Sequence, residues 1–444
     1  MAKRFVFTVG LLAAATTSTV ASNAVGPAPV LYVDLAREAS LPVPFTGRDI
    51  FVPYVPASIA NVSVGASRNQ HDALAATPHF QIRNAKLART ILTPDARMVQ
   101  LVYEPGYAFA HEAVTYFPNT DSLYFCSDAG GRLGRSNAST NNVEFQIRNI
   151  TDVAARAASG QPTSFAQDVE EVKIDSDSVQ MINGGMPYGS DHVLLATSGR
   201  GDTLPGGLAL VPRANSTNPT ILLNNAYGRQ FNSPNDVGVH PISGQIFFTD
   251  ALYGAVQGFR PNLSMPLMTW AYDPLSGNLK ALDDTVTVPN GLVISPDGKT
   301  VYITDTSPVG FPPNPKASNR ASIIAFDVTS ESVPGSSTEH ITAHSLVNRR
   351  LFAWPETGFC DGITVDTNGN VYCGTQDGIE VWSPQGLSIM KMFLPNDGAV
   401  DLAFAGHGRI AVSAQERIWL IEGLAVGGPD FTALPPKGKK FESA

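Results

Sequence analysis

Short runs of alternating apolar and polar residues, each followed by a turn and a second apolar run, recur along this chain. The two clearest copies span residues 233–250 and 288–305. Each contains Pro-Asn, an alternating run, a Gly-containing turn, a second apolar run and Thr-Asp. Alternation on both sides of such a turn is typical of a β-hairpin. The pattern therefore predicts two equivalent hairpins in which Asn235 and Asn290 hold the same position.

Four further copies show the same order of apolar runs and turn. They span residues 111–128, 184–198, 360–375 and 398–413, and the second of these is the loosest. Additional strand-like segments, such as 268–272 and 323–328, would extend the hairpins into four-stranded blades. Six copies predict an all-β fold, a six-bladed β-propeller with an N-terminal extension, and an irregular β-sandwich is the alternative.

The remaining segments predict the organisation around this propeller. Residues 1–24 combine two basic residues with an apolar run and small residues, which is the layout of a secretory signal peptide and too short for a membrane span. Residues 25–95 are expected to form an N-terminal extension packed on the propeller. Residues 96–425 would then be the propeller and residues 426–444 a C-terminal tail.

The ring of blades is expected to close through the strand-like segment 97–103. This segment would pair into the last blade, because closure removes exposed strand edges. The Pro-rich insertion at 306–319 and the long gap between the first and second copies are expected to be loops.

Composition narrows the range of partners. The 444 residues are 43% hydrophobic and 16% charged, which allows a large core, and 39 Gly and 33 Pro fit a protein with many turns. The net charge of −9 argues against nucleic acid or an anionic membrane surface as a partner. The signal peptide and five sequons together predict a secreted glycoprotein, with candidate sites at Asn61, Asn137, Asn149, Asn215 and Asn262.

The chain contains three cysteines, Cys126, Cys360 and Cys373. An odd count leaves at least one of them unpaired within the chain, and the sequence alone does not choose the pair that could form a disulfide. The sequence has no Cys-x-x-Cys motif, so zinc and redox chemistry are poorly supported.

Four oxygen-bearing residues precede the inner strands of four different predicted blades. Glu112, Asn235, Asn290 and Asp361 would therefore converge at the mouth of the central channel. Carboxylate and amide oxygens are hard ligands suited to Ca²⁺ and, less readily, to Mg²⁺ or Mn²⁺. Each residue taken alone is more often a turn former, but recurrence at matching positions favours a shared metal site.

Three further polar residues lie near these strands. His111 is expected to line the channel, where it would contact substrate or orient Glu112, although a lone histidine is more often structural than catalytic. Asp250 and Asp305 end the second strands of their hairpins and are expected to be structural groups at turns or between blades.

Several ordered stretches of the repeat form a longer signature. They read Asn232-Ser-Pro-Asn-Asp-Val, Phe248-Thr-Asp with Tyr253-Gly, Pro289-Asn-Gly-Leu with Ser295-Pro-Asp-Gly-Lys, and Asp361-Gly with Asn368-Gly-Asn. With these segments, the chain resembles the SMP-30/gluconolactonase/LRE-like family across residues 105–420, and looks most like its secreted fungal lactonohydrolase branch.

This resemblance implies a six-bladed propeller with one catalytic divalent metal in its channel, commonly Ca²⁺, with Mg²⁺, Mn²⁺ or Zn²⁺ as other candidates. The family's metal-binding Glu matches Glu112, and its ligand in the Pro-Asn-Gly segment matches Asn290. The Asp of its Asp-Gly segment, a ligand and suspected general base, matches Asp361. Asn235 matches a residue that holds metal or substrate. One departure is that the family usually has Glu-Gly-Pro where this chain has Glu112-Ala-Val.

The residues and the resemblance together predict a lactonase that opens sugar-derived or related small lactones to hydroxy acids. The metal would polarise the carbonyl, and Asp361 would pass a proton from water to the leaving ring oxygen. The sequence has no Gly-x-Ser-x-Gly motif, and His111-Glu-Ala-Val-Thr lacks the second His of a zinc protease. Two alternatives stay open. One is an aryl-ester or organophosphate hydrolase, and the other is a non-catalytic Ca²⁺-binding propeller that recognises a ligand or protein.

Overall fold

Six β-sheets form the blades of a β-propeller in the computed structural model of the protein, which confirms the predicted all-β, six-bladed fold. The structure describes residues 26–41, 43–44, 47–56, 74–174, 177–307, 318–333, 341–396 and 398–433. The predicted signal peptide, Asn61 and most of the 306–319 insertion lie outside these residues. None of the helices in the described ranges has the length and apolarity needed to cross a membrane.

Blades 1 to 4 each contain four strands that are consecutive in the chain. Blade 1 consists of β4 (Glu112–Phe117), β5 (Ser122–Cys126), β6 (Glu144–Ile147) and β7 (Glu170–Val172). Blade 2 consists of β8 (Ile182–Tyr188), β9 (His192–Thr197), β10 (Gly207–Pro212) and β11 (Thr220–Leu223). Blade 3 consists of β12 (Pro234–Val239), β13 (Ile246–Asp250), β14 (Met268–Tyr272) and β15 (Leu279–Asp283). Blade 4 consists of β16 (Pro289–Ile294), β17 (Thr300–Asp305), β18 (Ile323–Val333) and β19 (Ile341–Ala353).

Blades 5 and 6 include strands from the N-terminal part of the chain. Blade 5 consists of β20 (Ile363–Val365), β21 (Val371–Thr375), β22 (Gly378–Trp382) and β23 (Ser388–Phe393), and its outer edge is extended by β2 (His79–Ile82) and β1 (Val30–Tyr32). Blade 6 consists of β24 (Asp401–Phe404), β25 (Arg409–Ala414), β26 (Arg417–Leu424) and β3 (Leu92–Tyr103). The antiparallel pairing of β3 with β26 confirms the predicted closing strand.

Helices are few and short. Those that lie wholly within the described ranges are α1 (Leu35–Glu38), α2 (Ala85–Ala88), α3 (Ile150–Ala158), α4 (Phe165–Asp168) and α5 (Tyr253–Val256), with a 3₁₀ turn at Phe431–Ala433. The expectation of a plain loop between the first two repeat copies was wrong, because β6, β7, α3 and α4 lie there. Helix α3 buries Ile150, Val153, Ala154 and Ala157. These apolar residues follow the helical spacing of three and four.

The central strands are buried on both faces because adjacent blades pack against each other. In β13 every residue is buried. Ile246 and Phe248 join a core shared with blade 2, whereas Phe247, which points to the opposite face, joins a core shared with blade 4. The unbroken apolar run in this strand therefore follows from its position between two neighbours.

A buried ionic network attaches the N-terminal extension to blade 5. Arg83, directly after β2, places its guanidinium 2.7 Å from a Glu356 oxygen and 3.3 Å from a Glu380 oxygen. Lys391 of β23 contacts the same Glu356 carboxylate and lies 2.9 Å from Asp377. The first part of the chain is therefore joined to the propeller by paired charges as well as by strand pairing.

The structure answers the question of cysteine pairing that the sequence left open. Cys360 and Cys373 form a disulfide, and their Cα atoms lie 5.7 Å apart. Cys126 is free and buried. Because Cys360 directly precedes Asp361, the disulfide ties the segment that carries this candidate site residue to β21.

Candidate functional site

All four predicted ligand residues lie at the start of inner strands. Glu112 begins β4, Asn235 and Asn290 are the second residues of β12 and β16, and Asp361 lies two residues before β20. Glu112, Asn235 and Asn290 are buried, and Asp361 is partly buried. The residues belong to blades 1, 3, 4 and 5, as the repeat predicts.

Two equivalent hydrogen bonds between neighbouring blades show that Glu112 and Asn290 hold corresponding positions. The backbone N–H two residues after Asn290 donates to Asp236 Oδ2 at 2.6 Å, and the N–H two residues after Glu112 donates to Asp401 Oδ2 at 2.9 Å. Ala113 stands where the family usually has glycine, and it adopts a left-handed φ of 58°. This conformation favours glycine, so alanine holds it at a cost in backbone strain.

The aspartates of the two Thr-Asp repeats hold the approach to the site residues. Asp250 accepts hydrogen bonds from the backbone N–H groups of the two residues before β12, at 2.7 and 3.0 Å. Asp305 does the same for the two residues before β16, at 3.1 and 3.2 Å. These contacts confirm the predicted structural role of both aspartates, since each fixes the segment that leads into an inner strand.

The threonines of the same repeats connect each blade to the site residue of the next one. The Thr249 hydroxyl of blade 3 donates to the backbone carbonyl of Asn290 in blade 4 at 2.7 Å. The Thr304 hydroxyl of blade 4 donates to the backbone carbonyl of Asp361 in blade 5 at 3.1 Å. The position of one candidate ligand is therefore set by its own strand and by the preceding blade.

Asn290 and Asp361 are in direct contact. Asn290 Nδ2 donates to Asp361 Oδ1 at 2.7 Å and to the Tyr253 hydroxyl at 2.9 Å. Both hydrogens of the amide nitrogen are used in this way, which leaves the Asn290 side-chain oxygen for another partner.

Among the described residues, three of these four residues have side-chain oxygens that accept no hydrogen bond. Asn235 Oδ1 is buried and has no hydrogen-bond partner in the described part of the chain. Within the same residues, neither carboxylate oxygen of Glu112 accepts a hydrogen bond, and Asp361 uses only Oδ1. A buried acceptor without a partner is unfavourable by about 1–3 kcal/mol, so the Asn235 oxygen fits a site completed by a cation.

The donor set suits a hard cation. It combines the carboxylates of Glu112 and Asp361 with the amide oxygens of Asn235 and Asn290, which is the oxygen chemistry that Ca²⁺ prefers. The described residues contain no group of three or more His, Cys, Asp or Glu side chains with metal-binding geometry. A site in this protein would thus depend on the two asparagines as well as on the carboxylates.

Further carboxylates lie close to the candidate ligands. Burial raises the pKa of Glu112 well above its ordinary value, and the charges of Asp361, Asp401 and Asp236 raise it further. Burial also raises the pKa of Asp361 to about 6, of Asp401 to about 7 and of Asp236 to about 8. Carboxylates that resist ionisation together form an environment in which a divalent cation is strongly favoured.

His111 lies beside the site and is held by neighbours from two blades. Its Nδ1 is 3.1 Å from Gln415 Oε1, and its Nε2 is 3.6 Å from Asp128 Oδ1. No hydrogen bond to Glu112 occurs among the described residues, so the geometry favours lining of the channel over orientation of that carboxylate. The substrate-binding role of His111 stays a prediction.

Sequence reasoning missed several residues of this region. Asp236 and Asp401 use their carboxylates to bridge blades, Thr249 and Thr304 supply the hydroxyl links, and Tyr253 contacts Asn290 directly. A signal existed for the threonines, because Thr-Asp recurs at the end of both clear copies. The role of Tyr253 has no such signal, since it depends on how the loop after β13 folds back.

Asparagines of the four sequons within the described residues are all exposed, and they are Asn137, Asn149, Asn215 and Asn262. Exposure is compatible with glycosylation at each of them, which stays a prediction.

Comparison with known proteins identifies the family to which this chain is similar. The family model described as the SMP-30/Gluconolactonase/LRE-like region matches residues 111–411. Lactonohydrolase oryL of Aspergillus oryzae is 28% identical over 362 residues, which cover 77% of this chain and 72% of the relative. Lactonohydrolase oryH of the same organism is 32% identical over 164 residues, covering 34% of this chain and 31% of that protein.

A solved structure of a gluconolactonase from Xanthomonas campestris shares the fold, with a TM-score of 0.56 and 21% identity over 78% of this chain and 94% of its own. Because the family match covers more than half of the residues, the chain belongs to the SMP-30/gluconolactonase/LRE-like family.

Proposed function

We propose that the protein is a divalent-metal-dependent lactonase that hydrolyses sugar-derived or related small lactones to hydroxy acids. Membership of the family and similarity to proteins named lactonohydrolases support the reaction class. The observation that carries the proposal is the placement of Glu112, Asn235, Asn290 and Asp361 at or just before the start of four inner strands, together with a buried Asn235 oxygen that has no hydrogen-bond partner among the described residues.

These four residues would hold the cation, for which Ca²⁺ is the best match because every donor is a hard oxygen. When bound, a divalent cation supplies polarisation of the lactone carbonyl and stabilises the negative charge that develops on its oxygen. The protein contributes the arrangement of the ligands, which is fixed through the inter-blade bonds of Thr249 and Thr304.

Asp361 is the general base of the proposed mechanism. The Asn290 amide uses one lone pair of Oδ1, so the carboxylate keeps acceptor capacity on both oxygens, enough for the cation and for a proton. Without a bound cation, burial raises the pKa of this carboxyl to about 6. A bound cation favours the ionised form, so the carboxylate is available as a base at neutral pH. Asp361 removes a proton from the water that attacks the carbonyl carbon and returns it to the ring oxygen when the ring C–O bond breaks. Lactone and water thereby give one hydroxy acid without a covalent enzyme intermediate.

Two residues are proposed to bind substrate. Asn235 has a side-chain oxygen without a protein partner, so it can contact the cation or a hydroxyl group of the lactone. His111 is partly exposed, and its ring is oriented by Gln415 and Asp128. This arrangement suits a side chain that positions a polar substrate.

Acid release from a panel of five- and six-membered lactones, followed at constant pH, tests the proposal. We expect hydrolysis that stops after EDTA treatment and returns when Ca²⁺ is added, with Mg²⁺, Mn²⁺ and Zn²⁺ as comparison cations. Aryl esters and organophosphates belong in the same panel, because one polarising site can act on either class. A folded, Ca²⁺-loaded protein that hydrolyses none of these compounds would contradict the proposal and favour a binding propeller.

We further propose that the protein is secreted and glycosylated. The apolar N-terminal segment and the exposure of four sequon asparagines support this. Fractionation of a eukaryotic expression culture, followed by mass measurement before and after glycosidase treatment, tests both points. Unmodified protein confined to the cells would contradict them.

A further inference from the structure

We propose that Tyr253 is a positioning residue of the metal site, whose hydroxyl fixes the Asn290 amide so that the asparagine oxygen is the atom offered to the cation. The inference rests on the proposed metal-dependent function. Tyr253 lies outside the predicted set of site residues, and it is connected to that set through the hydrogen bond from Asn290 Nδ2 at 2.9 Å.

The direction of each hydrogen bond around Tyr253 can be derived from the chemistry of its partners. An ionised carboxylate only accepts, so the Asn290 atom that lies 2.7 Å from Asp361 Oδ1 must be the donating nitrogen. The Thr306 hydroxyl donates to the backbone carbonyl of Val288, which also only accepts, at 3.2 Å. Thr306 must then accept from the Tyr253 hydroxyl, with which it forms a hydrogen bond. Tyr253 has one proton, so it can only accept from Asn290.

A flipped Asn290 amide is therefore disfavoured twice. Its oxygen would face the Asp361 carboxylate on one side and the lone pairs of the Tyr253 hydroxyl on the other. With the amide held as observed, the oxygen is the atom directed away from both partners and available as a ligand.

The local chain is built to place this hydroxyl. Tyr253 begins α5, and the Gly254 N–H donates to the Ser233 hydroxyl at 2.8 Å, two residues before Asn235 in the chain. A Cβ atom at Gly254 would lie 2.4 Å from that hydroxyl oxygen and 2.3 Å from the Arg260 side chain. Only glycine fits here, which explains why tyrosine is followed by glycine in this segment.

Four variants of the full chain test the inference. Tyr253→Phe removes the tyrosine hydroxyl and keeps the ring. Thr306→Val keeps the Tyr253 hydroxyl but removes the acceptor of its proton, so that this proton can point at Asn290. Thr306→Ser keeps the acceptor and serves as the conservative rescue. Tyr272→Phe serves as the control, because it alters a buried tyrosine of blade 3 at the end of β14 that lies away from Asp250. Ca²⁺ affinity is measured by calorimetry on EDTA-treated protein, and lactone hydrolysis is measured as a function of Ca²⁺.

We expect Tyr253→Phe and Thr306→Val each to weaken Ca²⁺ binding on the order of 10-fold, the lower range for loss of a group that orients a metal ligand. Thr306→Ser and Tyr272→Phe should bind Ca²⁺ as the wild type does, and excess Ca²⁺ should restore hydrolysis in Tyr253→Phe. If Tyr253→Phe does not fold, Thr306→Val carries the test. Unchanged affinity in the variants overturns the positioning role and leaves the metal site in place. A wild type that binds no divalent cation overturns the proposed metal dependence and this inference with it.

Discussion

Lys391 Nζ lies 2.9 Å from Asp377 Oδ1 at a place where neither side chain has any solvent exposure. The carboxylates of Glu356 and Glu380 face the same ammonium group. Burial lowers the pKa of Lys391, but Asp377, Glu380 and Glu356 raise it by more, so the net shift is upward and the lysine stays charged. The network joins β23 of blade 5 to the loop that carries Glu356 and, through Arg83, to the N-terminal extension.

Lys391→Met should destabilise the protein by about 3–5 kcal/mol, because it leaves buried carboxylates without their cation. Urea unfolding at neutral pH measures the change. Lys299→Met is the control, since Lys299 is exposed and 3.8 Å from Asp297, and it should change stability by less than about 0.5 kcal/mol. Equal stability of Lys391→Met and wild type would show that the network does not anchor the extension.

Thr304→Val should reduce both stability and hydrolysis. The hydroxyl accepts the Gly291 N–H at 2.8 Å and donates to the Asp361 carbonyl, so its loss leaves a buried N–H unpaired at a cost of about 1–3 kcal/mol and loosens the general base. Thr269→Val is the matched control, because the buried Thr269 hydroxyl has no partner in the described part of the chain. That variant should be neutral or stabilising. Identical melting and turnover for the two variants would refute the role of the link.

Glu144→Gln should stabilise the protein at alkaline pH. Burial raises the pKa of Glu144 from its ordinary 4.5 to about 8. The folded state binds this proton more tightly than the unfolded state, so the free energy of unfolding is highest below pH 4.5 and falls as pH rises through about 8. The variant should therefore gain on the order of a few kcal/mol relative to wild type above pH 8 and nothing near pH 4. Chemical unfolding across this pH range measures the difference, and the exposed Glu171→Gln should show none.

Asp361→Asn should lower the turnover number by at least about 10²-fold, since the amide can still contact a cation but cannot accept a proton from water. Steady-state hydrolysis at saturating Ca²⁺ measures the effect, and circular dichroism checks the fold. Asp327→Asn, a change in a surface ion pair with Arg350, should leave turnover unchanged. Turnover close to wild type in Asp361→Asn would remove this residue from the role of base.

Glu112→Gln should act mainly on metal affinity. It replaces one of the two candidate carboxylate ligands by an amide and so removes one negative charge from the site. We expect calorimetry to show Ca²⁺ binding weakened by at least about 10-fold, with hydrolysis recovered at high Ca²⁺. Asn235→Ala tested in parallel separates loss of an oxygen from loss of a charge. Wild-type affinity in Glu112→Gln would mean that the first ligand was assigned wrongly.

The blades were predictable because each one repeats the same apolar runs and turn. Glu112, Asn235, Asn290 and Asp361 were located by that repeat, and the structure places all four at the start of inner strands. The ring closes as expected through the segment that ends at Tyr103, because this strand pairs with β26 and completes the last blade.

Other features follow from tertiary contacts that no local pattern records. Strands β1 and β2 are short and do not repeat, so nothing in the sequence links them to the edge of blade 5. The role of Tyr253 depends on a loop that brings α5 back over β16. Helix α3 does have a pattern in the sequence, since its buried apolar residues are three and four apart, but a prediction based on strand alternation does not detect it.

The pairing of β3 with β26 also determines when the protein can acquire its site. Arg97 and Glu422, which join these strands, are 325 residues apart in the chain. Contacts of such length form late and slowly, because most of the chain has to be ordered before its ends meet. During synthesis Glu112 is made long before Asp361. Strand β3, which closes the ring, is made early but can pair only after β26 of the last blade has been synthesised. A nascent chain that stops short of blade 6 therefore lacks a closed channel, and the proposed cation site would be complete only in the finished ring.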